Sequence, residues 1–172
     1  MKTPWLFLLA FALIFYSNGA GFIESFVNYP SWRLIGRSEF LSYHQFISPR
    51  VIAFLVAPAF GASLLTIAML RYRPAAIPLW TVWVAVALQV IIWVSSVSIQ
   101  IPIQMEFGST GFSEERVARL IISNFWLRRI PNLLTAGLFL WMMHKVVSAA
   151  HQSQTSPTQP LEPRAASGRR SP

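Results

Sequence analysis

Four stretches of this 172-residue chain carry almost no charge, and that pattern limits what it can fold into more than any other feature. Thr3–Ile23, Val51–Leu70 and Pro74–Met105 contain no Asp, Glu, Lys or Arg, and Ile130–Ala150 contains only Lys145. A helix rises about 1.5 Å per residue, so about 20 apolar residues cross the roughly 30 Å hydrocarbon core of a bilayer. Lipid offers backbone N–H and C=O groups no partners, so such segments satisfy them internally, as helices. The sequence therefore predicts an all-α, four-transmembrane-helix bundle, with spans at about 4–24, 50–70, 77–99 and 129–149. Lys145 lies where a long side chain snorkels to the interface. Pro58 and Gly61 are tolerable inside a bundle. The first span also has the outline of a secretory signal peptide, Lys2 before an apolar run and then Ser17, Gly19 and Ala20. Apolar character resumes at Phe22-Ile23 and Phe26-Val27, which favours a retained span.

Composition removes several classes of function. The chain is 54% hydrophobic and 12% charged, against about 25% charged in soluble domains. It has no cysteine, hence no disulfide, thiolate zinc site or iron–sulfur cluster. The formal charge of +8 comes without a basic run or nucleic-acid motif, so the expected partner is membrane lipid rather than nucleic acid. Basic residues divide evenly between the two faces. Lys2, Arg71, Arg73, Lys145, Arg164, Arg169 and Arg170 share one, and Arg33, Arg37, Arg50, Arg116, Arg119, Arg128 and Arg129 the other. The short Arg71–Arg73 turn and the basic tail place both termini in the cytoplasm of a multi-pass cell-membrane protein. Residues 1–149 form the membrane domain. Residues 150–172, rich in Pro, Ser and Gln, read as a disordered basic tail.

The first and third loops face the same side and look structured. In the first, Trp32, Ile35, Gly36, Phe40, Tyr43 and Ile47 fall on one helical stripe, with Arg33, Arg37 and His44 on its flank and Pro30 as a turn starter. In the third, Gly108-Ser-Thr-Gly111 breaks the chain and Ser113 caps a helix whose first turn holds Glu114 and Glu115. Val117, Leu120, Ile121 and Phe125 give that helix an apolar face, and Glu115 and Arg119 are spaced for an ion pair. Both segments read as amphipathic helices. They either lie at headgroup depth or fold down as a lid over a cavity between the spans.

Polar residues at one end of the spans favour the cavity. Ser17, Asn18, Glu24 and Asn28 follow one another in the first helix, Gln89, Ser96, Gln100 and Gln104 in the third, and Asn124, Arg128 and Asn132 in the fourth. Polar groups at membrane depth face the bundle interior or water. Glu24 either pairs with Arg128 or Arg129, joining the first and fourth helices, or serves with His44 as a proton donor or acceptor beside a bound molecule. With one histidine near this end and no cysteine, ligands for a transition metal are scarce. No phosphate loop, nucleophile elbow or zinc motif is present.

Tyr29-Pro30-x-Trp32, Gly36, Phe40 and Tyr43-His44, followed by Gln100-Ile-Pro-Ile-Gln104, Gly111-Phe112 and Asn124-x-Trp126-Leu127-Arg128, resemble the ordered motifs of a group of small bacterial integral-membrane proteins of unknown function. The resemblance covers about residues 15–143. More distantly, the chain is similar to the anthrone-oxygenase-like family of four-helix membrane proteins, whose members oxidise polycyclic phenols without a recognised metal or flavin. The resemblance implies matching roles for Pro30, Gly36, Phe40, Tyr43, His44, Pro102, Trp126 and Arg128. Where the pattern carries a second arginine, this chain has Thr135.

These readings converge on a bacterial inner-membrane protein with a pocket for a small hydrophobic or aromatic ligand under its first and third loops. Such a protein fits an oxygenase-like membrane oxidoreductase, with no cofactor implied. His44 and Glu24 would handle protons and Arg128 would stabilise negative charge. Trp32, Phe40, Tyr43, Gln100, Gln104, Asn124 and Trp126 would bind the substrate. A non-catalytic accessory or structural subunit is the alternative. A proton-coupled transporter is a third reading, although no internal repeat supports it.

Overall fold

The computed structural model describes residues 4–155. They form an all-helical structure with four helices long and apolar enough to cross a membrane: α1 (Trp5–Leu34), α2 (Arg37–Tyr72), α3 (Leu79–Thr110) and α4 (Glu114–Gln152). The shortest, 30 residues, is about 45 Å long, well beyond the hydrocarbon thickness. The connections are short, so neighbours run antiparallel. Packing closes a ring of α1 on α2, α2 on α3, α3 on α4 and α4 on α1. Of the expected disordered tail, helix continues through Thr155, and the remainder lies outside the described residues.

Each helix outruns the span that hydropathy marks. A charged residue ends an apolar window, but it does not end a backbone hydrogen-bond ladder. The first loop is therefore divided between two helices. Past Pro30, α1 continues to Leu34, the chain turns at Ile35-Gly36, and α2 begins at Arg37. The expected single stripe from Trp32 to Ile47 is thus split, yet Trp32 and Phe40 still meet, with ring centroids 5.6 Å apart. In the third loop helix persists through Gly108 and stops at Gly111, whose φ of 76° suits glycine. Ser113 then caps α4 through Oγ, which accepts from the Arg116 N–H. The ion pairs differ from the expected Glu115–Arg119. Arg33 binds Glu114 at 2.7 Å and Arg116 binds Glu106 at 3.0 Å, so both tie the start of α4 to neighbouring elements rather than to itself.

Two apolar layers hold the ring together. At the end nearest the termini, Phe7, Ala10 and Ile14 pack with Met69, Val82, Ala85, Phe139 and Met142. At the other end, Tyr29, Trp32, Phe40, Ile103, Phe107, Val117 and Leu120 form a second plug. Between them the buried groups include Asn18, Gln89, Ser96, Gln100 and Arg129. Many large apolar side chains, among them Phe22, Phe54, Trp83, Val94 and Leu134, point outward. Polar inside and apolar outside reverses the usual arrangement of a protein in water.

Every helix contains one five-residue π turn: Glu24–Asn28, Ile52–Val56, Ser96–Gln100 and Phe125–Arg129. Each is closed by a bond from the next N–H, such as Tyr29 to the Glu24 carbonyl or Ile101 to that of Ser96. The cause stands two residues beyond each turn, at Pro30, Pro58, Pro102 and Pro131. Proline lacks an N–H and its ring crowds the carbonyl four residues earlier, and one extra residue in the turn relieves that clash. Pro49 lies in α2 without such a turn. The carbonyls so released are those of Phe26, Phe54, Ser98 and Leu127. Two gain donors from neighbouring helices: Tyr16 Oη–H donates to Phe54 O at 2.8 Å, and Ser95 Oγ–H, shared with Ile92 O at 2.9 Å, reaches Leu127 O at 3.3 Å.

This arrangement predicts a coupling. Tyr16→Phe should lower stability by about 1 kcal/mol, because it removes the donor to a carbonyl that Pro58 leaves free. In a Pro58→Ala background, where residue 58 supplies its own N–H, the same change should be nearly neutral. Unfolding of the four proteins in detergent measures the difference, and equal effects in both backgrounds would break the link between proline and tyrosine.

Candidate functional site

Between the two apolar layers lies a cavity of about 640 Å³ to which all four helices contribute. That volume lies within the range of small-molecule sites. Its floor is formed by Ile14, Ala62, Ser63 and Gln89, and its roof by Tyr29, Trp32 and His44. Three of the four π turns place a charged or amide residue on the wall: Glu24 opens the first, Gln100 ends the third, and Arg128 and Arg129 end the fourth.

The residues expected to carry chemistry, His44, Glu24 and Arg128, all line this cavity. His44 is buried, and its Nε2 lies 2.8 Å from Gln104 Oε1. With the Gln104 amide in this orientation its oxygen accepts and Nε2 is the donor. The ring packs near Gly108, where an added Cβ would lie 3.8 Å from Nδ1. Glu24 forms neither of the ion pairs found among the described residues. Its Oε2 accepts from Asn28 Nδ2 at 2.8 Å, and Asn28 Oδ1 accepts from Tyr43 Oη–H at 2.9 Å and Trp32 Nε1–H at 3.2 Å. Glu24 shares electrostatic contact with Arg128, Arg129 and Tyr29.

Trp32, Gln100 and Gln104 also line the cavity, as do Ser17, Gln89, Ser96 and Asn132. Phe40, Tyr43, Asn124 and Trp126 do not. Phe40 is fully buried behind the roof, edge-on to Trp32, stacked on His44 and tilted against Phe107. Tyr43 acts through Asn28, as described. Asn124 turns away to donate to Ser25 Oγ at 2.7 Å, joining α4 to α1. Trp126 is 63% exposed and borders a smaller outer cleft of about 270 Å³. The reason is the π turn. Asn124 precedes it and Arg128 lies within it, and one extra residue rotates the helix by about 100°, so the expected Asn124–Arg128–Asn132 stripe breaks. Asn18 and Asn28 likewise bond within α1, to the Ile14 carbonyl and to Glu24.

The sequence suggests Arg129 only as an ion-pair partner of Glu24 and does not single out Gly21, and the structure gives both a larger part. Arg129 is 4% exposed, and its Nε and Nη1 have no acceptor within the protein. Its guanidinium lies against α1 at Gly21, where an added Cβ would come within 2.0 Å of Nη1. The signal was available in Gly21 and in Pro131, which sets the π turn that turns Arg129 inward. Further unpartnered groups are Arg128 Nε, Ser17 Oγ, Gln89 Oε1 and both amide atoms of Gln100. Buried donors without acceptors each cost about 1–3 kcal/mol, so these groups do not contribute to the stability of the fold. Among the described residues no three His, Asp or Glu side chains cluster as a metal site requires.

The cavity also has a side opening. α2 and α3 touch below it, residues 57–72 against 79–95, and above it, residues 37–51 against 101–110, whereas their π turns make no comparable contact. Two cross-helix hydrogen bonds join the lower contact, Trp93 Nε1–H to Ser63 Oγ at 2.9 Å and Gln89 Nε2–H to Thr66 Oγ1 at 3.1 Å, and His44 to Gln104 joins the upper one. Ile52, Ile101 and Met105 line the cavity and are at the same time exposed on the outer surface. No protein-family model matches the chain, and no curated protein or solved structure is significantly similar to it.

Proposed function

We propose that this is a multi-pass integral membrane protein that binds a small, largely apolar molecule in the cavity between its four spans. The observation that carries the reading is the wall itself, apolar over most of its area and interrupted by a few convergent polar groups, several of them without partners in the protein. The outward apolar surface and polar interior support the membrane setting. The ends of α1 and α3 and the beginnings of α2 and α4 lie at the interface, with their basic residues at headgroup depth and both termini in the cytoplasm.

Chemistry on the bound molecule would fall to three residues. His44 and Glu24 would exchange a proton with it, and Arg128 would hold negative charge on an oxygen; that all three line the cavity supports this reading. The family resemblance adds an oxygenase-type oxidation of an aromatic or quinone-like compound as the reaction to look for. The test is native mass spectrometry and absorption spectroscopy of gently purified protein, compared with His44→Ala and Arg128→Gln. The expected result is a retained apolar molecule in the wild type and its loss or altered spectrum in the variants. Wild-type protein that carries no such molecule but a stoichiometric protein partner would overturn the pocket reading.

A further inference from the structure

We propose that the cavity selects a membrane-resident amphiphile whose head is an oxyanion, a phosphate or carboxylate. Arg128 and Arg129 hold the head, and the hydrocarbon tail leaves between α2 and α3. The inference rests on the pocket reading above and narrows it to a chemical class.

Charge supplies the first argument. Two guanidinium groups face one carboxylate, Glu24, on the cavity wall, which leaves one positive charge over, and one oxygen of that carboxylate already accepts from Asn28. Arg129 is buried to all but 4% and keeps Nε and Nη1 without acceptors, and Arg128 keeps Nε. Planar guanidinium donors match the oxygens of phosphate and carboxylate, and their bonds to an ion are stronger than those to a neutral group. Gln100, 2% exposed and without partners at either amide atom, adds a neutral donor and acceptor.

Shape supplies the second. Arg129 reaches its position because residue 21 is glycine, and a side chain there would occupy the space of the guanidinium. The head site is therefore provided for by two helices, α1 giving space and α4 giving charge. The opening supplies the third. Ile52, which opens the π turn of α2, and Ile101 and Met105, just past the π turn of α3, form an apolar rim exposed to the outer surface on which the other large apolar residues lie. A free aqueous anion needs no apolar exit, and a neutral hydrocarbon needs no paired arginines. A chain with an acidic head uses both.

The experiment measures binding by native mass spectrometry to full-length protein in an uncharged maltoside detergent. The probes are dodecyl phosphate, dodecanoate, dodecanol, dodecyltrimethylammonium and inorganic phosphate. The oxyanion-headed chains should bind about tenfold or more tightly than dodecanol, with the ammonium weaker still. Arg129→Gln should remove that preference, Gly21→Ala should reduce it by displacing the guanidinium, and Ile52→Trp should weaken every chain-bearing probe. Equal binding of dodecanol and dodecyl phosphate by the wild type would overturn the head-group assignment while leaving an apolar pocket. Inorganic phosphate displacing dodecyl phosphate at equal concentration would overturn the tail assignment and point to a free anion. Binding of none of the chains would overturn this inference and the pocket reading together. Head-group selectivity is read on the wild type, so the result stands even if a variant does not fold.

Discussion

Trp32→Ala is expected to destabilise the folded bundle by about 3 kcal/mol, the largest loss from any single truncation at the roof of the cavity. The indole is 1% exposed and meets Tyr29, Phe40, His44 and Phe107 at centroid distances of 5.1, 5.6, 5.8 and 5.3 Å. Its N–H also satisfies Asn28, which in turn donates to Glu24. Deletion therefore removes ring packing and loosens the group that occupies the carboxylate. The figure stays at the lower end of the range for large aromatic truncations, because packing between apolar helices in detergent gains less from leaving water than packing in a soluble core. Trp126→Ala, on a ring 63% exposed at the outer face, should change unfolding by less than about 0.5 kcal/mol. Denaturation of both variants in mixed detergent gives the comparison, and similar losses would contradict the roof.

Arg129→Met should do the reverse and stabilise the protein, by about 1–4 kcal/mol when no amphiphile is added. A buried guanidinium with Nε and Nη1 unpartnered pays desolvation that its electrostatic contact with Glu24 offsets only in part, and methionine fills similar space without that cost. The same variant should lose the stabilisation that dodecyl phosphate confers on the wild type by mass action. Thermal unfolding with and without that probe reads both effects. A destabilised variant that still responds to dodecyl phosphate would show Arg129 to be a structural residue, and the head site would lie elsewhere.

Much of the site was legible before the fold. Glu24, His44, Gln100, Gln104 and Arg128 stand out in the sequence because polar groups in apolar text have few places to go, and all five line the cavity. The i, i+4 row of Asn124, Arg128 and Asn132 assumes a uniform helix, and a π turn begins directly after Asn124. Trp126, which the resemblance implies, lies inside that turn, and Asn28 ends the first one. The prolines that set those turns were visible at Pro30, Pro58, Pro102 and Pro131. The rotation they introduce follows only once the carbonyl each one frees is considered. Arg129 was hidden for a further reason. Its burial depends on Gly21, a residue 108 positions away whose missing side chain makes the room.

The number and type of the long elements were decided by the sequence alone. They depend on two local quantities, the length of an apolar run and the need of each backbone group for a nearby partner. Where the helices end, which polar faces meet and what they enclose were decided by tertiary structure. Those outcomes depend on rotations of about 100° at four π turns and on close approach between residues far apart in the chain. No local pattern of hydropathy records either of them.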